Sequence, residues 1–168
     1  MSLSMKNNNL IVIWALLCFI GTASTTAQTK AEKKARQQEK TKELIESRNF
    51  TIEIDRAVPQ RGRTIHLTSP YKIRLTTDSI ESYLPYFGRA YHIPYDGGKG
   101  LIFEAPVSDY KLSFDKKGKA TVTFKTRTDE DSFTYTLYVF DNGTASVNVV
   151  PLNRQSITYY GRLADTEE

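Results

Sequence analysis

The sequence predicts a mainly β protein, an antiparallel meander closed as a barrel or folded as a two-layer sandwich, with one N-terminal helix. Three observations predict it. From residue 49 onward apolar and polar residues alternate with a period of two, the signature of strands with one buried and one wet face. The alternating segments are separated by short turns rich in Asp, Asn and Gly, and one stretch before residue 49 has the composition of a helix.

The chain is 168 residues long, with 39% hydrophobic and 25% charged residues, which suits one folded domain and excludes a disordered one. Residues 10–20 form an unbroken apolar run behind Lys6, and small residues follow it as far as Thr25, Thr26 and Ala27. This reads as a signal peptide over 1–27, cleaved before Gln28 and leading to a periplasmic or secreted product. Two rivals are a lipoprotein on Cys18 and an uncleaved anchor. Leu17 stands where lipidation wants a small residue, and the run is too short for a stable span. The mature form is therefore expected to have no membrane span, and no cysteine, since Cys18 is the only one.

Residues 28–48 form a charged segment, rich in Ala, Glu, Lys, Arg and Gln without Gly or Pro, and so helical. Its large apolar residues are Leu44 and Ile45, so the last turn is expected to dock on the domain while the first turns stay in solvent. Seven basic residues oppose four acidic ones over 30–48. With Lys6, that excess accounts for the whole net charge of +4. The β domain, 49–168, is neutral and offers no footprint for a phosphate backbone, so no nucleic-acid partner is expected.

The strands follow in order. Phe50, Ile52 and Ile54 begin the alternation, Ile65 and Leu67 continue it, and Tyr71, Ile73 and Leu75 resume it after Ser69 and Pro70, which read as a turn. Later segments are led by Tyr110, Ala120, Phe133, Ala145 and Ile157, which brings the total to eight to ten short strands. Residues 115–118, 129–131 and 141–143 are hairpin-type connections. A sheet of this length with one apolar face must close or fold over itself, and the helix then packs across an opening or edge.

Residues 82–100 break the rhythm. They contain Tyr83, Tyr86, Phe87, Tyr91 and Tyr95 with two prolines and four glycines, and read as one long connection without strand or helix. Aromatic residues beside Arg89 and His92 offer contact area with polar orientation, which makes Tyr83, Tyr86, Phe87, Arg89, Tyr91, His92 and Tyr95 the candidate ligand-binding residues. The alternative is that the aromatics cap the barrel and complete its core.

Residues 83–91 (YLPYFGRAY), 97–106 (GGKGLIFEAP), the 110–127 hairpin, and the motifs at 142–145 and 153–157 together resemble a family of secreted bacterial proteins catalogued as domain of unknown function 4251, over about residues 30 to 163. The resemblance implies a cell-envelope or secreted domain of Gram-negative bacteria with no assigned activity. It brings no catalytic residue with it.

Catalysis finds little support. The two histidines are His66, on the polar face of a strand, and His92 in the aromatic segment; no Gly-x-Ser-x-Gly is present. A hydrolase would need His92 with Glu104 or Asp109. The acidic turns at 129–131 and 96–98 lack the alternating spacing of a calcium loop and read as solvated. The expectation is a non-enzymatic domain without cofactor or metal. It binds a small ligand, a glycan or an envelope protein through the aromatic loop, or serves a structural role with no ligand site. A hollow interior beneath the loop fits the first reading and a filled one the second.

Overall fold

The computed structural model describes residues 30–91 and 100–164. The expected signal peptide, the Gln28 cleavage point, His92 and Tyr95 lie outside these residues. Helix α1 (Lys30–Glu46) precedes eight strands: β1 (Phe50–Pro59), β2 (Ile65–Leu75), β3 (Ser79–Leu84), β4 (Leu101–Phe114), β5 (Ala120–Arg127), β6 (Ser132–Val139), β7 (Thr144–Pro151) and β8 (Ile157–Leu163). Each pairs antiparallel with the next, and β8 returns to β1 to close a barrel. Closure removes every sheet edge and decides the expected choice between barrel and sandwich for the barrel.

Alternation sends one face of each strand inward. Along β5, Ala120, Val122, Phe124 and Thr126 are buried, and along β6, Phe133, Tyr135, Leu137 and Val139 are. Phe124 stacks on Tyr135 with ring centroids 5.1 Å apart, so large aromatics occupy the middle of the barrel. Tyr135 donates to Ser82 Oγ at 3.3 Å, and Ser82 donates in turn to the Leu101 carbonyl at 2.7 Å. Burial lifts the Tyr135 phenol far above its ordinary range, so it serves as a neutral hydrogen-bond donor.

Two boundaries differ from expectation. The stretch 65–75 is one strand rather than two, because Ser69 and Pro70 lie in an irregularity: Tyr71 pairs with Ile54 and His66 with Arg56. A proline without an N–H fits such an interrupted ladder. Opposite it, β8 crosses β1 so closely that a side chain on Gly161 would run into the Glu53 carbonyl. The second correction concerns 82–100. Ser82, Tyr83 and Leu84 belong to β3, which pairs with the start of β4, so the irregular connection is 85–100.

The barrel has two ends. At one, α1 lays Ile45, fully buried, into the core while Leu44 is only half-buried. The helix stops where Arg48 takes a left-handed φ of 55° and sets its guanidinium 4.2 Å from the Tyr110 ring centroid. The connections at 76–78, 115–119 and 140–143 lie at this end. At the opposite end lie 60–64, 85–100, 128–131 and 152–156.

Candidate functional site

The described candidate residues, Tyr83, Tyr86, Phe87, Arg89 and Tyr91, gather at the end of the barrel away from the helix, but they do not share one environment. Tyr83, on β3 with Glu81 and Ser79, faces out, 42% exposed, and stacks on Tyr71 at 5.5 Å. Tyr86 is half-buried, and its single hydroxyl proton is shared between the carbonyls of Gln155 at 2.8 Å and Arg89 at 3.2 Å. Its ring lies over Gly88 so tightly that a Cβ there would strike the phenol. Burial raises the Tyr86 phenol above its ordinary value, and the Arg154 guanidinium opposes that rise. Tyr86 is thus spent on holding the loop.

Residues 87–91 form the outer surface. Phe87 and Tyr91 are 37% and 67% exposed, and the exposed Arg89 has no side-chain partner among the described residues. Their backbone is nevertheless fixed. The Gln155 N–H donates to the Arg89 carbonyl at 3.0 Å, Tyr91 N–H to the Asn153 carbonyl at 2.8 Å, and Ala90 bridges Arg154. From inside the barrel, Tyr159 donates to the Pro85 carbonyl at 2.7 Å. The described half of the loop is therefore a rigid platform that presents its side chains outward.

What anchors the platform is a buried ionic cluster that sequence reasoning missed. The Arg154 side chain is 6% exposed; it donates to the Gly100 carbonyl at 3.0 Å and to Glu130 at 2.9 Å, and stands 3.6 Å from Asp131. Asp131, 1% exposed, accepts from the backbone N–H groups of Ser132 at 2.8 Å, Leu152 at 3.2 Å and Asn153 at 3.1 Å. The expectation of a solvated acidic turn at 129–131 is wrong for Asp131. Its carboxylate collects donors from two connections and a guanidinium, which compensates the removal of a charge from water. The Asn153-Arg154 pair in the 153–157 motif was the available signal, but nothing local tied it to Asp131.

Of the residues weighed for hydrolysis, His92 lies outside the described residues, and the two carboxylates are both on the surface. Glu104 is exposed on β4 opposite Glu81. Asp109 is exposed with φ 54° and is held by Lys125 at 2.8 Å, which keeps its carboxyl below the usual range. Among the described residues no cluster of three His, Cys, Asp or Glu side chains is placed to hold a metal ion, and no helix is long and apolar enough to cross a membrane.

No curated protein matches the chain. Among solved structures the fold is similar to the crystal structure of a DUF4251 family protein from Bacteroides eggerthii DSM 20697, with a TM-score of 0.61 at 20% identity, covering 77% of this chain and 87% of that one. That likeness concerns the fold. The model of the family described as domain of unknown function DUF4251 matches residues 32–163, from the first turn of α1 to the last residue of β8, and the chain belongs to that family.

Proposed function

We propose that this protein is a non-enzymatic binding domain, exported to the periplasm or beyond, whose 85–100 loop engages a small ligand, a glycan or an envelope protein. One observation carries the reading. Phe87, Arg89 and Tyr91 are presented outward on a backbone that Gln155, Asn153 and Arg154 hold in place. Aromatic surface on a fixed backbone binds at low entropic cost, because little remains to be ordered. Within the candidate set the contact role falls to Phe87, Arg89 and Tyr91, with His92 and Tyr95 as the continuation of the same segment, while Tyr86 supports them from below.

The test is capture from a cell-envelope extract by the unaltered protein and by a Phe87→Ala/Arg89→Ala/Tyr91→Ala variant of equal thermal stability. Loss of a captured species in the variant supports the reading. Identical capture by both overturns it and favours the second reading, a structural envelope domain. The aromatic packing inside the barrel, Phe124 against Tyr135 and Phe103 against Phe133, supports that alternative.

A further inference from the structure

On the outer face of β5, β6 and β7 lies an open groove of about 360 Å³ lined by residues of β4 to β7 and by Leu152, with none of residues 87–91 in its lining. Strand register gives it an ordered floor. Lys125 pairs with Thr134 and Thr134 with Val150, forming one row across three strands. Arg127 pairs with Ser132, whose carbonyl accepts from the Leu152 N–H at 2.9 Å, forming the next. Both rows therefore run in the same chemical order: a cation on β5, a hydroxyl on β6, an aliphatic side chain on or just past β7.

The cationic and the aliphatic columns have spare capacity. Leu152 is 74% and Val150 46% exposed, an unusual amount of aliphatic surface for neighbouring outward positions. Arg127 is exposed and has no partner among the described residues, whereas Lys125 is engaged by Asp109.

We infer that this groove is a binding site for a small amphipathic anion, a carboxylate on a short apolar body, lying across the strands with its head at Arg127 and its body on Val150 and Leu152. Two strand spacings separate the cationic column from the aliphatic one, about 10 Å, which matches an alkyl carboxylate of about eight carbons. The volume lies within the usual range for small-molecule sites. A planar guanidinium is the side chain best suited to a carboxylate. The inference does not rest on the loop reading.

The experiment is an amide NMR titration of the purified protein with octanoate, repeated with octanol and with acetate. Octanoate is expected to shift amides at 125–134, 150 and 152, while octanol, which lacks the charge, and acetate, which lacks the body, shift them much less. Arg127→Gln is expected to weaken octanoate by about tenfold, the size of one lost charge-assisted hydrogen bond. Leu152→Ser is expected to weaken it severalfold. Both side chains are exposed, so the fold is kept. The Phe87→Ala/Tyr91→Ala variant is expected to bind octanoate normally, which separates this site from the loop. Shifts confined to residues 85–100, equal binding of octanol, or an Arg127→Gln variant that binds as before would each overturn the site.

Discussion

The two ends of the barrel are closed by different physics. At the helix end one apolar side chain makes the closure: Ile45 enters the core, and the rest of α1 meets the 140–143 turn through polar groups at the surface, the half-buried Gln38 to Asp141 at 2.6 Å and Lys34 to Asp141 at 3.6 Å. At the loop end the closure is polar and buried, with Arg154, Glu130 and Asp131 joining three connections. An apolar plug loses stability in proportion to the surface it exposes. A buried ionic cluster fails as a unit, because removing one member leaves the others charged and unpaired. The helix end is thus expected to loosen gradually and the loop end to hold or break.

The sharpest challenge to that contrast is Arg154→Met. It leaves Asp131 and Glu130 without their cation and frees the Gly100 carbonyl, at an expected cost of about 3 kcal/mol or more in a urea unfolding experiment. A loss below 1 kcal/mol would mean that the backbone donors alone satisfy Asp131.

Ile45→Ala comes next, with an expected loss of about 2 kcal/mol from one buried aliphatic side chain at the end of a helix that can readjust. Truncation after residue 40 is expected to cost far less than truncation after residue 45, since only the second removes Ile45. Equal melting temperatures for the two truncations would show that Ile45 does not dock.

Tyr86→Phe probes the platform without disturbing its shape. Losing the hydroxyl that serves Gln155 and Arg89 is expected to cost about 1 kcal/mol and lower the melting temperature by about 3 °C. Tyr91→Ala, at an exposed position, is expected to stay within about 0.5 kcal/mol of the unaltered protein. The reverse order would move Tyr91 into the supporting role.

The smallest effect is expected at Asp141, whose carboxyl is held below its ordinary value first by the Gln38 hydrogen bond and then by Lys34. A depressed folded-state value means that the stabilisation is fully present above the unfolded Asp value of about 3.9. It is lost as pH falls from there through the lower folded value. Asp141→Asn is therefore expected to melt slightly below the unaltered protein at neutral pH and to converge with it in strong acid. A difference that persists unchanged in acid would exclude the charge as its source.

The strands that were legible in sequence are those with an unbroken run of apolar inward positions, as Ala120, Val122 and Phe124 are in β5. Strand β3 was hidden because one of its inward positions is Ser82, a polar residue buried against the Leu101 carbonyl. Seen alone, it breaks the alternation between Ile80 and Leu84. The aromatic loop was recognisable from its composition. Its division of labour was not: Tyr86 and Tyr91 are the same residue type in the same segment, and only the position of Gln155 makes one a support and leaves the other exposed.

By itself the sequence determined the class of this protein. Period-two alternation fixes which side chains can share a face, because successive residues of a strand point to opposite sides whatever the strand packs against. The helix and the burial of Ile45 follow in the same way, from local propensity and apolar placement, whereas the contacts of the earlier turns, Thr41 buried and Gln38 and Lys34 at Asp141, do not. Tertiary structure alone decided that β8 returns to β1, that Gly161 meets Glu53, and that Asp131 is buried beside Arg154. Those outcomes depend on groups far apart in the chain meeting at one place. A carboxylate in a turn belongs in water unless donors from another connection replace it, and no local pattern records whether they do.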